Sequence, residues 1–186
     1  MLKWEKCYFD SFLKNLILKV LYKEYGDTFS QLCVLDTTVE DVWLDFYLET
    51  LKTDVVTSIS DFLPQPIKYN KYNNYDFVES TLYETIGPFT SQYDIVNTLD
   101  TLSLELDDFV WQKSLENLCN YLKPQGVMII SGNLQKTYTD DTFRSRSEGL
   151  WRAIITSCSC SVKHFIKDPC KDLLKNPCDI LIIGKR

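Results

Sequence analysis

Histidine is almost missing from this chain of 186 residues: there is one, His164. Seven cysteines are present (Cys7, Cys33, Cys119, Cys158, Cys160, Cys170 and Cys178), yet no two stand in a C-x-x-C arrangement. Zinc-ligand spacing is therefore lacking, and no metal site is expected. The odd count points to reduced thiols in the cytosol, with a disulfide framework as the alternative. Runs of basic residues are lacking too. With a net charge of -6 and a pI of about 4.8, the surface repels phosphate backbones, so neither nucleic acid nor a membrane surface is an expected partner. No stretch is long and apolar enough to span a bilayer. Met1-Leu2-Lys3-Trp4-Glu5-Lys6 is charged and leads into no clean apolar stretch with a small-residue cleavage site, so no signal peptide is expected and the location is read as cytoplasmic. Internal repeats and low-complexity tracts are absent. Glycine is scarce, with six in all, and only Gly26 precedes Asp36.

What is plentiful is apolar surface: 45% of residues are hydrophobic and 13% aromatic. That supports one well-buried core and is too little for two ordinary domains, so residues 1–186 read as a single domain. Phe9, Phe12, Leu13, Leu16, Ile17, Val20 and Leu21 follow helical spacing, with Lys14, Lys19 and Lys23 outside, which predicts a helix from about Trp4 to Tyr25 ended by Gly26-Asp27. Leu32–Asp36 is a short apolar run closing on an acid. Thr37 or Thr38 caps a second helix to about Leu51, with Glu40 and Asp41 favourable in its first turn. Residues 60–75 read as a loop, leading into a weak strand near Tyr75–Val78. Tyr93–Leu99 reads as a strand, Asp108–Leu122 as a helix, Lys123-Pro124-Gln125-Gly126 as a tight turn. Val127–Ile130, apolar on both faces, suits a buried parallel strand. A helix over Ser147–Ser157 and strands near Val162–Ile166 and Asp179–Ile183 close the chain. Strands alternating with helices predict an α/β sheet with helices on both faces.

Tyr93-Asp-Ile-Val-Asn-Thr-Leu99, the helix through Trp111 and Leu115–Leu122, and Lys123-Pro-Gln-Gly-Val-Met-Ile-Ile-Ser131 occur in order at the separations of class I methyltransferases, which they resemble. Asn97-Thr98-Leu99, the insert Leu102–Asp108 and the tail ending at Ile183-Gly184-Lys185 are similar to the nicotinamide, phenylethanolamine and indolethylamine N-methyltransferases. The resemblance covers residue 28 to the end, weakly between 52 and 72. It implies a Rossmann-like methyltransferase sheet with a C-terminal antiparallel strand pair, S-adenosylmethionine as cofactor and a small-molecule amine as substrate, in a monomer or in association with an intact homologue.

Carried over residue by residue, the resemblance assigns Asp36 to the ribose hydroxyls, Asp41 to a position near the cofactor, Asp76 to the adenine amino group, Phe77 to the face of the adenine ring and Thr98 to the cofactor's amino-acid end. Each has a plainer alternative: a helix cap or turn acid for Asp36, a first-turn helix acid for Asp41, a loop acid beside a core aromatic for Asp76 and Phe77, a backbone-bonded buried threonine for Thr98. Leu99 is packing, His164 is structural or exposed, and Cys158-Ser159-Cys160 is core and edge packing. Methyl transfer from a sulfonium needs alignment in a dry pocket and no nucleophilic residue. Asn133, Tyr138 and Phe143 would lie near the acceptor, the aromatics favouring positive charge. The acid that the nicotinamide enzymes carry after this strand is replaced by Gly132-Asn133.

One element of the pattern is not found. A glycine-rich turn should precede the ribose acid by about 20 residues. Counting back from Asp36 reaches Phe12–Ile17, with no glycine. The first strand and glycine loop are thus expected to be missing, leaving a gap in mid-sheet. The chain reads as an N-terminally truncated enzyme, a degenerate relative without activity, or an active enzyme with an unusual cofactor loop.

Overall fold

The computed structural model describes residues 3–38, 40–61, 65–84, 87–99, 101–132, 144–167 and 179–186. The chain opens with α1 (Lys3–Tyr25) and then lays down β1 (Cys33–Asp36), α2 (Asp41–Asp45), β2 (Val55–Ser60), β3 (Tyr75–Glu79), β4 (Tyr93–Thr98), α3 (Asp108–Tyr121), β5 (Leu122–Gly132), α4 (Glu148–Ser157), β6 (Cys160–Ile166) and β7 (Asp179–Lys185). The seven strands form one sheet in the order β3-β2-β1-β4-β5-β7-β6. β1 to β5 are parallel, while β7 runs antiparallel to both β5 and β6. Among the described residues no helix is long and apolar enough to cross a membrane.

The central strands are apolar on both faces because both faces are covered. Val34, Ile95, Ile129 and Ile182 point into one core with Leu13, Ile17 and Leu21 of α1 and Trp43, Leu44 and Tyr47 of the α2 region. Their neighbours Leu35, Val96, Ile130 and Ile183 point the other way, against Trp111, Leu115 and Leu118 of α3 and Trp151 and Ile155 of α4. This is the two-residue strand period, with each fully buried aliphatic side chain contributing about 1.5–3 kcal/mol. Helix ends follow local chemistry. Gly26, at φ 60°, lets the chain turn off α1. The Asp107 carboxylate accepts from the N–H groups of Phe109 and Val110 at 2.8 and 2.9 Å, and Ser147 caps α4.

The expected mid-sheet gap does not exist. β1 sits between β2 and β4, pairing Val34 with Val56 on one side and Ile95 on the other. The strand taken for the second is the first, and the second, Val55–Ser60, falls almost wholly in residues 52–59, to which the sequence assigned no element. The second helix ends near Leu51 as expected, but not as a uniform α-helix: α2 widens into a π-helical stretch over Phe46–Leu51 and stops at Lys52, whose φ is 54°. Lys123–Gly126 is a bulge in β5, since Tyr93 pairs with Leu122 and Ile95 with Val127. Gly126 is required there: a Cβ would stand 2.9 Å from the Lys123 carbonyl oxygen and 3.1 Å from those of Tyr93 and Asp94.

Candidate functional site

β1 leads to β2 on one side and β4 leads to β5 on the other, so strand order reverses between β1 and β4. In open α/β sheets the crevice beyond the carboxyl ends of two such strands is where ligands bind. Here it is lined by Asp36, Asn97 and Thr98, all fully buried. Asp36 is held on several sides. The Asn97 amide donates to it at 2.7 Å, and the Thr38 hydroxyl reaches both carboxylate oxygens at 3.0 Å.

The turn leaving β1 is Asp36-Thr37-Thr38, where a phosphate- or cofactor-binding turn of this topology carries glycines so that its backbone can approach the ligand. No glycine occurs between Gly26 and Gly87. The Thr37 N–H donates to the Asn97 carbonyl at 2.9 Å. Its hydroxyl stands 3.0 Å from that of Thr101, which in turn reaches the Thr37 carbonyl at 3.3 Å. These bonds tie the β1 turn to the segment after β4 across the crevice. Asn97 Oδ1 and Thr98 Oγ1, both enclosed, find no hydrogen-bond partner among the described residues.

Open space lies beside the crevice, toward β2 and β3. A cavity of about 270 Å³ is bounded by Ile59, Ser60 and Asp61 at the end of β2, by Thr81, Leu82 and Tyr83 after β3, by Thr101, Leu102, Leu104 and Glu105 after β4, and by Val110 and Ser114 of α3. It lies just under the ~300–1,000 Å³ typical of pockets for whole small-molecule ligands. Its walls are mostly apolar. Its charged groups among the described residues, Asp61 and Glu105, are both acids, and Asp61 stands exposed at the tip of the strand next to β1.

Of the sequence-derived residues, Asp36 and Thr98 come together at the crevice. Asp41 opens α2, where its carboxylate pairs with Lys68 at 2.9 Å and lies 3.3 Å from the Tyr69 hydroxyl. Asp76 and Phe77 are in the first half of β3, before its carboxyl end at Glu79. Asp76 is exposed there, and Phe77 packs against the core. Asn133, Tyr138 and Phe143 lie outside the described residues. His164 is part-exposed on β6, 3.9 Å from Glu24. Asp61, which sequence reasoning did not single out, stands at the end of β2, a little over 20 residues forward of the β1 turn.

A second cluster was also missed. The thiols of Cys119 on α3 and of Cys158 and Cys160, which the sequence presented as simple packing, interact with one another. The interaction with Cys119 pulls the half-buried Cys158 thiol down to about 6, against the opposing effect of burial. Cys33 moves the other way, its thiol pushed up by burial. Cys158 is therefore expected to alkylate with a midpoint near pH 6 rather than the ~8.5 of a free thiol. A short iodoacetamide pulse from about pH 5 to about pH 9, read by peptide mass spectrometry, checks this. Cys33 labels later in the same samples, and Cys119→Ala moves the Cys158 midpoint up. A midpoint at or above that of Cys33 contradicts the cluster.

No protein-family model and no curated protein sequence matches this chain. Solved structures do match. A 1,6-didemethyltoxoflavin N1-methyltransferase from Burkholderia thailandensis, bound to its substrate and S-adenosylhomocysteine, superposes with a TM-score of 0.67 at 15% identity, over 90% of this chain and 75% of that one. The magnesium protoporphyrin IX methyltransferase of Synechocystis, bound to S-adenosylmethionine, gives 0.68 at 13% identity, over 100% and 86%. A [4+2]-cyclase gives 0.66 at 10% identity, over 91% and 79%. The fold is the Rossmann-like methyltransferase fold, with its full strand order. Likeness at these identities is a statement about fold, and the cyclase illustrates that one fold carries several chemistries.

Proposed function

We propose that this chain binds the adenosyl group carried by S-adenosylmethionine and its products, with the cavity at the ends of β2 and β3 as the nucleoside site and Asp61 as the acceptor for the ribose hydroxyls. The observation that carries this reading is the placement of Asp61. An acid at the tip of the second strand, beside the switch point and on the rim of an apolar cavity, suits a ribose diol in this topology. Ile59, Leu82 and Leu102 supply apolar walls for a flat base. The company of two methyltransferases bound to the cofactor or its product supports the same reading.

The residues present fit the nucleoside half of the cofactor. They do not fit its amino-acid half, because Thr37, Thr38 and Thr101 fill the crevice that half would enter. Methyl transfer to a small amine remains the second reading, favoured by the shared fold, with Asn133, Tyr138 and Phe143 as its acceptor side.

Calorimetric titration with adenosine, S-adenosylmethionine and S-adenosylhomocysteine tests the first reading. Binding of at least one adenosyl compound is expected, and Asp61→Ala should weaken it by ~10-fold to ~100-fold, the worth of hydrogen bonds to a charged group. A cooperatively folded chain that binds none of them overturns it. Radiolabelled methyl transfer to a panel of pyridines and primary amines decides the second.

A further inference from the structure

We propose that this site selects an uncharged adenine nucleoside, adenosine or its 5′-methylthioether, over adenosyl compounds that carry an amino-acid tail or a phosphate. The inference rests on the nucleoside site proposed above and adds its specificity. Two independent features carry it, one steric and one electrostatic.

The steric feature is the sealed crevice. A ligand tail leaving the ribose toward the switch point would have to pass between the ends of β1 and β4. That passage holds the Thr37 and Thr101 hydroxyls 3.0 Å apart and the Thr38 hydroxyl on the Asp36 carboxylate. Thr37 and Thr38 are at most 9% exposed, and Asn97 and Thr98 behind them are fully buried. Glycines would leave this space to a ligand, whereas the threonines occupy it and satisfy one another. Entry of a tail breaks the contacts between Thr37 and Thr101 and must replace them.

The electrostatic feature is the charge of the cavity. Asp61 and Glu105 are its only charged lining groups among the described residues, none of which supplies a basic group to the lining. A phosphate or a carboxylate brought to such a wall meets like charge without a compensating cation. A nucleoside brings a diol to Asp61 and an apolar base to the walls, at no charge cost. The size agrees, since about 270 Å³ is small for a whole cofactor.

The test is a competition series by isothermal calorimetry on the full chain, with adenosine, 5′-methylthioadenosine, S-adenosylhomocysteine and adenosine 5′-monophosphate. Adenosine and methylthioadenosine are expected to bind at least about tenfold more tightly than the other two. Opening the turn with Thr37→Gly/Thr38→Gly should then raise the affinity for S-adenosylhomocysteine relative to methylthioadenosine by about tenfold. If that variant fails to fold, Thr101→Ala, which removes the cross-crevice contact without altering the turn backbone, is read by the same ratio. S-adenosylhomocysteine binding as tightly as methylthioadenosine to the unaltered chain overturns the selectivity and leaves the nucleoside site standing. Equal binding of the monophosphate overturns the electrostatic half. If none of the four binds, the nucleoside site and its selectivity fall together.

Discussion

Trp111→Ala is expected to cost about 3–5 kcal/mol of stability, the range for deleting a large buried aromatic whose cavity cannot collapse. Trp111 is 1% exposed on the inner face of α3. Its ring meets that of Trp151 of α4 edge-on, with centroids 4.8 Å apart and planes at 86°. The Arg146 guanidinium sits 4.6 Å from its centroid, itself 3% exposed and bonded to Asp108 at 3.0 Å. Alanine removes the contact between the two helices and strips a buried cation of its aromatic face. For a chain of this size the melting temperature should fall by about 6–20 °C. Phenylalanine should recover much of the loss. It keeps a ring in place and deletes an indole N–H that has no hydrogen-bond partner among the described residues. Chemical denaturation of the three proteins decides the point, and a loss under about 1 kcal/mol for alanine would mean that α3 and α4 are not packed as described. Val110 and Ser114 flank Trp111 and face the cavity. A loosened α3 should therefore also weaken the nucleoside binding proposed for that cavity.

How legible the sequence was depends on which signal each segment carries. β4, α3 and β5 were readable because Ile95-Val96 and Val127–Ile130 fill both cores at once and because Gly126 marks a place where only a hydrogen fits. β2 was not. Its six residues, Val-Val-Thr-Ser-Ile-Ser, mix Thr57, Ser58 and Ser60 with three aliphatics and show neither a clean alternation nor an apolar run. Yet all three hydroxyl residues are at most 8% exposed. Losing that strand shifted the numbering by one. Val34-Leu35-Asp36 was counted as the second strand, and a missing first strand had to be supposed. The scarcity of glycine strengthened the error. With two threonines after Asp36, nothing in the local sequence announced the switch point, and only the pairing of β1 with both β2 and β4 places it there. The thiol cluster was illegible for a different reason: Cys119 and Cys158 are far apart in sequence and meet only through packing of α3 against the end of α4.

Asp94→Ala is expected to cost about 1–4 kcal/mol, from the amino ends of the same strands. Its carboxylate accepts from the Cys33 N–H and from the Lys123 ammonium, each at 2.8 Å. One side chain on β4 thus holds the start of β1 and the bulge of β5, and the Tyr25 hydroxyl at the end of α1 donates to the Asp94 carbonyl at 2.6 Å. The larger share of the cost comes from the Cys33 N–H, which alanine leaves without its acceptor in a part-buried place, at about 1–3 kcal/mol. The ion pair adds less, about 0–1 kcal/mol, since the Lys123 side chain is 34% exposed and its charge is screened by solvent. The two shares can be separated. Asparagine keeps an acceptor for Cys33 and loses the charge, so Asp94→Asn should be the milder change by about 1–3 kcal/mol. Burial alone would pull the Lys123 pKa down, but the hydrogen bond to Asp94 and its charge outweigh it, and the folded value is raised. A raised lysine stabilises the fold at all pH values below its unfolded pKa, and the contribution disappears as pH rises through the folded one. The difference between the unaltered chain and Asp94→Asn should accordingly be constant near neutrality and shrink only above about pH 10.4. Equal losses for alanine and asparagine would assign the whole effect to the ion pair and remove the backbone acceptor as the reason these three strands start in register.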